Sequence, residues 1–170
     1  MLLSNQSKQS VEDAIQWNNG RKLVWEDFMG EPDSNATNAA LTSSGIEFKY
    51  GYNDGKFEYT IKCLFEKEKS WAKVKTDYIL AHEQLHFDIS EIHARKLNRD
   101  LKDFNFNPAT AQKEIGIIYN SIMKAQTAMQ QEYDAATDHS RNKEQQAVWV
   151  LKIKTELAKL QAFGDYNTGE

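Results

Sequence analysis

His82-Glu83-Gln84-Leu85-His86 sets two imidazoles four residues apart, with a carboxylate directly after the first. On an α-helix, positions four apart lie about 40° apart around the axis and one turn along it, so both rings project from one face and can grip one ion. Glu83 sits about 100° round, beside the ion, where a carboxylate can take a proton from an activated water. The surroundings favour this over two histidines that merely pack. Tyr78-Ile79-Leu80-Ala81 precedes the motif and Phe87, Ile89 and Ile92 follow it, so the segment is apolar and half buried. Two unpaired imidazoles on such a stripe would cost desolvation with no return, and a metal removes that objection. Zinc (Zn2+) is the ion this spacing serves.

A catalytic zinc takes three protein ligands and leaves a fourth position for water. Two further histidines exist, His93 and His139. His93 lies near the same helical face but about 10 Å further along an unbroken helix, because nothing between Phe87 and Ile92 is Gly or Pro. It reads as a packed or supporting residue. Asp88 and Glu91 fall on the back of the helix. His139 follows Tyr133-Asp134-Ala135-Ala136-Thr137-Asp138, where a second helix ends, and a helix terminus can aim a side chain across a cleft. The competing reading of His139 is a surface histidine favoured by the helix dipole at a C-terminus.

Three stretches resemble a bacterial family described as secreted zinc-dependent proteases. The first is Trp25-Glu26-Asp27-Phe28-Met29-Gly30-Glu31-Pro32, similar to the family's Trp-x-x-Phe-x-Gly-x-Pro element. The second is His82 to Ile89 with Glu91, Ala94 and Arg95. The third is Tyr133-Asp134 with Thr137 and His139, then Gln145 and Trp149. The resemblance implies a zincin-like fold, with His82 and His86 as zinc ligands, Glu83 as general base and His139 as third ligand. It also implies secretion or a periplasmic location. Leu85 and Ser140 stand where glycine is expected, and Leu85, about 60° off the histidine face, should narrow the wall of the site.

The elements that must position these residues can be read from periodicity. Residues 1–20 are polar and weakly patterned, a loosely ordered lead-in. A single zincin-like domain spans 21–164, and 165–170 form a tail. Leu23-Val24-Trp25 reads as a short strand. Ile46, Phe48, Tyr50 and Tyr52 alternate with polar residues, as do Phe57, Tyr59, Ile61, Cys63 and Phe65, and Asn53-Asp54-Gly55 between them signals a hairpin. A strand of this hairpin is the candidate peptide-binding edge by zincin analogy. The metal helix should start at Thr76-Asp77 and run to Phe104. Asn107-Pro108 should open a second helix and Asn142, with Gln145, a third that Gly164 ends. The fold class expected is α+β, a small antiparallel sheet with a hairpin followed by three main helices.

A net charge of −4 gives no electrostatic case for nucleic acid. No run reaches the 18 or so apolar residues of a membrane span. The single cysteine, Cys63, excludes an internal disulfide and falls on the apolar face of a strand. Met1-Leu2-Leu3-Ser4-Asn5-Gln6 lacks the basic and apolar stretches of a secretory leader, which fits a cytoplasmic protein or one whose leader has been removed. The function expected is a metallopeptidase acting on a peptide or protein, with Glu83 as base and Tyr133 as a candidate for the oxyanion. The alternatives are a zinc hydrolase of cell-wall peptide bridges and a non-catalytic module of the same fold.

Overall fold

The computed structural model describes residues 13–166. Residues 1–12 of the lead-in and 167–170 of the tail lie outside the described residues. Local sequence dictates most at the hairpin. β3 (Ser44–Asn53) pairs antiparallel with β4 (Lys56–Glu66) in the register Asn53↔Lys56 through Ile46↔Cys63. Asp54 and Gly55 form the two-residue loop with φ of 48° and 79°, the pair of left-handed residues that a type I′ turn needs. Ile61, Cys63 and Phe65 are buried while Lys62 is exposed, the period of two that puts one face on a core.

β1 (Ala14–Gln16) pairs with the other edge of β4, giving a three-stranded sheet in the order β1-β4-β3. The end of the lead-in is therefore anchored rather than loose. Trp17 donates from its backbone to Cys63 O and from its indole to Asp88 Oδ1, each at 2.8 Å. A separate two-stranded sheet joins β2 (Ala40–Leu41) to β5 (Trp71–Ala72). The expected strand at Leu23-Val24-Trp25 does not form. Trp25–Asp27 is a 3-10 turn, because Asp27 Oδ2 accepts from Val24 N at 2.9 Å and turns the chain locally instead of leaving it extended. Gly30 then lies so close to the chain that an added Cβ would sit 2.5 Å from Glu68 O. No other residue fits there without backbone movement.

Three helices follow: α1 (Asp77–Lys102), α2 (Ala111–Thr137) and α3 (Lys143–Lys159). Thr76 caps α1 by accepting from Ile79 N at 3.2 Å, and Asn142 caps α3 by accepting from Gln145 N at 3.1 Å, both as the sequence predicts. α2 starts three residues later than Asn107-Pro108 suggests. Asn107 Oδ1 accepts from Ala109 N and its carbonyl from Ala111 N, so Pro108 sits in a preliminary turn rather than in the first turn of the helix.

α1 is the centre of the molecule and is buried along most of its length. Phe87, Ala94, Leu97 and Leu101 pack with Ile46, Ile61, Cys63 and Phe65 on the sheet side. Leu85, Ile89 and Ile92 pack with Tyr133 of α2 and Trp149 and Ile153 of α3 on the other. Each such large side chain contributes about 1.5–3 kcal/mol by leaving water. Burial on all sides obliges the helix's polar residues to find partners. Asp88 accepts from Trp17 and Gln84, Glu91 from Arg95 at 2.8 Å and from the Tyr166 hydroxyl, and Asn98 bridges Tyr59 and the carbonyl of Phe163. These groups tie the segments around Trp17 and Phe163–Tyr166 to the back of α1. His93 Nδ1 lies 2.9 Å from Ile89 O in the same interior, a packed histidine away from His82 and His86.

Candidate metal centre

The N-terminal half of α1, the C-terminal half of α2 and the chain leading into β3 meet around His82, Glu83 and His86. His82 and Glu83 are 2% and 3% exposed. His82 Nε2 and His86 Nε2 lie 3.2 Å apart. Asp134 of α2 brings Oδ1 to 3.3 Å from the first and 3.2 Å from the second. The three atoms form a nearly equilateral triangle. Ligands bound tetrahedrally at about 2.0–2.1 Å stand about 3.3 Å apart, so the triangle has the size of one face of a zinc coordination shell.

The outward nitrogens decide what the inward ones carry. Gln130 Nε2 donates to the carbonyl of His86 at 2.9 Å, which fixes its amide with Oε1 2.5 Å from His86 Nδ1. Gln146 Oε1 lies 3.0 Å from His82 Nδ1 and also accepts from the Tyr133 hydroxyl at 2.9 Å. An amide oxygen can only accept, so both Nδ1 atoms are donors and both neutral rings present bare lone pairs at Nε2. Two lone pairs and a carboxylate oxygen then face one another across about 3 Å. That is repulsive unless a cation stands among them. Tyr133, fully buried, stacks on His82 with centroids 4.6 Å apart and meets His86 edge-on at 4.9 Å, which locks the ring planes.

The site's own electrostatics agree. Burial lowers the His86 pKa, but the neighbouring Asp134 and Glu83 carboxylates outweigh it and leave the imidazole above its ordinary value. Burial raises the Asp134 carboxyl, and the two imidazoles outweigh that as well, holding it well below the usual carboxylate range. Both shifts stabilise positive charge at the centre of the triangle.

Glu83 projects beside the triangle, and its Oε2 accepts from Thr42 Oγ1 at 2.7 Å. A cleft of about 370 Å3 opens over these groups, bordered by Leu41 and Thr42, by Gln126 and Gln130 of α2, and by His139 and Ser140. β2 and the residues flanking it border the cleft. The hairpin expected to do so contributes only Ser44.

His82, Glu83 and His86 are thus brought together as the motif predicts. Asp134 takes the place by the pair that the sequence reading gave to His139. The donor atoms that all lie within 4.8 Å of one another are those of His82, His86 and Asp134. His139, with its side chain 43% exposed, directs Nδ1 to Asp134 Oδ1 at 3.5 Å. It occupies a turn in which Asp138, His139 and Ser140 all have positive φ, 48°, 48° and 75°. Ser140 adopts this conformation where the resemblance expects glycine, at a cost of about 1–2 kcal/mol. The turn leads directly into the Asn142 cap of α3 and keeps His139 above the carboxylate.

Two further expectations are corrected. Leu85 does not narrow the site, because it is buried with Ile89 and Trp149 on the α3 side. Tyr133 does not face the cleft, since its hydroxyl is spent on Gln146 and on the carbonyl of His82. The residues missed were Thr42, Gln130, Asp134 and Gln146. Gln130 and Asp134 lie four apart, and with Tyr133 and Thr137 they interrupt an apolar stripe with polar groups, a usable signal. Thr42 and Gln146 leave none.

Over residues 30–140 the chain matches a family described as "Bacterial protein of unknown function (DUF922)". The match covers more than half of the 170 residues, and the chain belongs to that family. The matched span holds His82, Glu83, His86, Gln130, Asp134 and His139, while Gln146 lies beyond it. No curated protein and no solved structure matches.

Proposed function

We propose that this protein is a zinc-dependent hydrolase of peptide bonds, with His82, His86 and Asp134 as the metal's protein ligands and Glu83 as general base. The observation that carries the reading is the triangle of three lone-pair atoms with 3.2–3.3 Å edges. A closed structural site would need a fourth protein ligand and would have no use for a carboxylate in the position of Glu83. When bound, zinc lowers the pKa of a water toward about 7 and polarises a carbonyl.

The protein's own groups do the rest. Glu83 takes a proton from the attacking water while that oxygen bonds to the carbonyl carbon. The same carboxyl then gives the proton to the amine as the C–N bond breaks. Gln130 and Gln146 hold the imidazoles to one tautomer and one orientation. The chain from Asn38 to Thr42 runs along the cleft wall and supports an extended peptide as the substrate form. A helix carrying H-E-x-x-H between a sheet and a helix that brings the third ligand also supports a zincin-like classification.

Elemental analysis of the purified protein should find about one zinc per chain, and a peptide-library digest should give cleavage that chelation abolishes. Glu83→Gln should keep the zinc and lose about 10²–10⁴-fold in turnover. Loss of metal in that variant would show that Glu83 coordinates, and the assignment of roles would fall.

A further inference from the structure

We infer that Thr42 is the positioning residue for the general base, holding the Glu83 carboxylate in one rotamer from the sheet side of the cleft. The inference rests on the hydrolase reading of the site. Thr42 Oγ1 has one hydrogen and two acceptors in reach, Glu83 Oε2 at 2.7 Å and Glu83 O at 3.2 Å. The shorter contact to a carboxylate takes it. Thr42 engages one carboxylate oxygen of Glu83, and the residue also lines the cleft. One oxygen is clamped and the other accepts the proton.

What makes this a clamp rather than a passing contact is the anchoring of the two residues that follow. Ser43 N donates to the Oγ of the fully buried Ser70 at 2.9 Å, Ser43 Oγ donates to Glu66 Oε2 at 2.6 Å, and Ser43 O accepts from Glu66 N at 2.9 Å. Ser44 Oγ meets Ser90 Oγ at 2.8 Å. Three consecutive hydroxyls thus alternate between two elements, Thr42 and Ser44 reaching α1 and Ser43 reaching β4, and the first is fixed because the next two are. A β-branched residue at position 42 also restricts χ1, which serine would not do as well. The conformational freedom of a free glutamate side chain corresponds to a factor of about 10–30, the scale of the effect expected when the clamp is removed.

The test uses Thr42→Val, which keeps the shape and loses the hydroxyl, and Thr42→Ser, which restores it. Thr42→Val should retain about one zinc per chain and melt cooperatively. Its kcat on a cleaved library peptide should fall about 10–30-fold with KM within about twofold. Thr42→Ser should recover most of the loss. A second readout needs no turnover: acetohydroxamic acid and azide are titrated into the cobalt-substituted proteins and followed by visible absorption. Acetohydroxamic acid must hand a proton to a carboxylate as it binds, and azide has none to give. Affinity for the first should fall in Thr42→Val and in Glu83→Gln, with azide unchanged. Parental kcat and acetohydroxamic acid affinity in Thr42→Val would overturn the inference. A parent that binds zinc but cleaves no peptide would instead sink the peptidase reading, and the two cobalt titrations would still decide Thr42. A parent that binds no metal would overturn both.

Discussion

Replacing Asp134 tests the geometry of the centre most directly, because the structure sets Asp134 beside the imidazole pair where the sequence reading puts His139. Asp134 Oδ1 completes the triangle with both imidazoles, whereas His139 reaches only Asp134. Structural zinc sites with four protein ligands bind with about 10–16 kcal/mol, or about 2.5–4 kcal/mol per ligand. At about 1.4 kcal/mol per decade, Asp134→Ala should weaken zinc binding by about 10²–10³-fold. Asp134→Asn keeps the shape and an oxygen donor but not the charge, and should fall between that variant and the parent. His139→Ala removes a half-exposed ring that makes one contact to the carboxylate, and should change affinity less than tenfold or so. Competition with a chromophoric chelator at neutral pH gives the dissociation constants. Far-UV circular dichroism establishes that each variant is folded before the comparison is made. A reversed order, with His139→Ala losing the zinc and Asp134→Ala keeping it, would show that the carboxylate at the triangle's corner is a hydrogen-bonding neighbour and that the metal sits further out.

Two other outcomes follow from groups behind the site. Gln130→Leu and Gln146→Leu each remove the acceptor that fixes one imidazole, so each should cost about 10–100-fold in zinc affinity without removing a ligand, measured by the same competition. His93 is held below its ordinary pKa of 6.5 by burial, so the folded state keeps it neutral while the unfolded chain takes a proton as the pH falls through about 6.5. Stability from this residue is therefore present above that pH and lost as the pH falls toward the folded pKa. In chelator, urea midpoints taken from about pH 7.5 down to 5 should drop more steeply for the parent than for His93→Gln, and parallel profiles would refute the neutral buried assignment.

The His82/His86 pair and its helix were legible because their information is local. A four-residue spacing fixes both rings on one face, and Thr76 and Asn142 cap their helices through contacts three residues away. Asp54-Gly55 fixes the hairpin register in the same local way. The place of Asp134 beside the pair was not legible because it depends on how α2 lies against α1, set by Tyr133, Ile122 and Trp149 meeting residues far away in sequence. Histidine is the stronger prior as a zinc ligand, so the sequence favours His139 at the helix end, while the structure sets Asp134, five residues earlier, beside the pair. The short strand at Leu23 failed for a different reason. Asp27 bonds the backbone three residues before it, and that local competition with extended structure outweighs the apolar character of Leu23-Val24-Trp25.

Each residue of His82-Glu83-Gln84-Leu85-His86 is held from a different direction. Gln146 and Tyr133 hold His82, Thr42 holds Glu83, and Gln130 holds His86. The two intervening residues are equally committed, Gln84 accepting from Leu23 N at 2.8 Å and donating to Asp88 at 2.9 Å while Leu85 fills the core beside Trp149. The ligand triangle is therefore assembled by the fold, and bringing its lone pairs together has a cost that the two apolar clusters on either side of α1 must offset. Fixed donors spare the metal the ordering of side chains, and fixed acceptors hold the lone-pair orientation before the ion arrives. In the proposed reading packing, and not the cation, puts the donors in place.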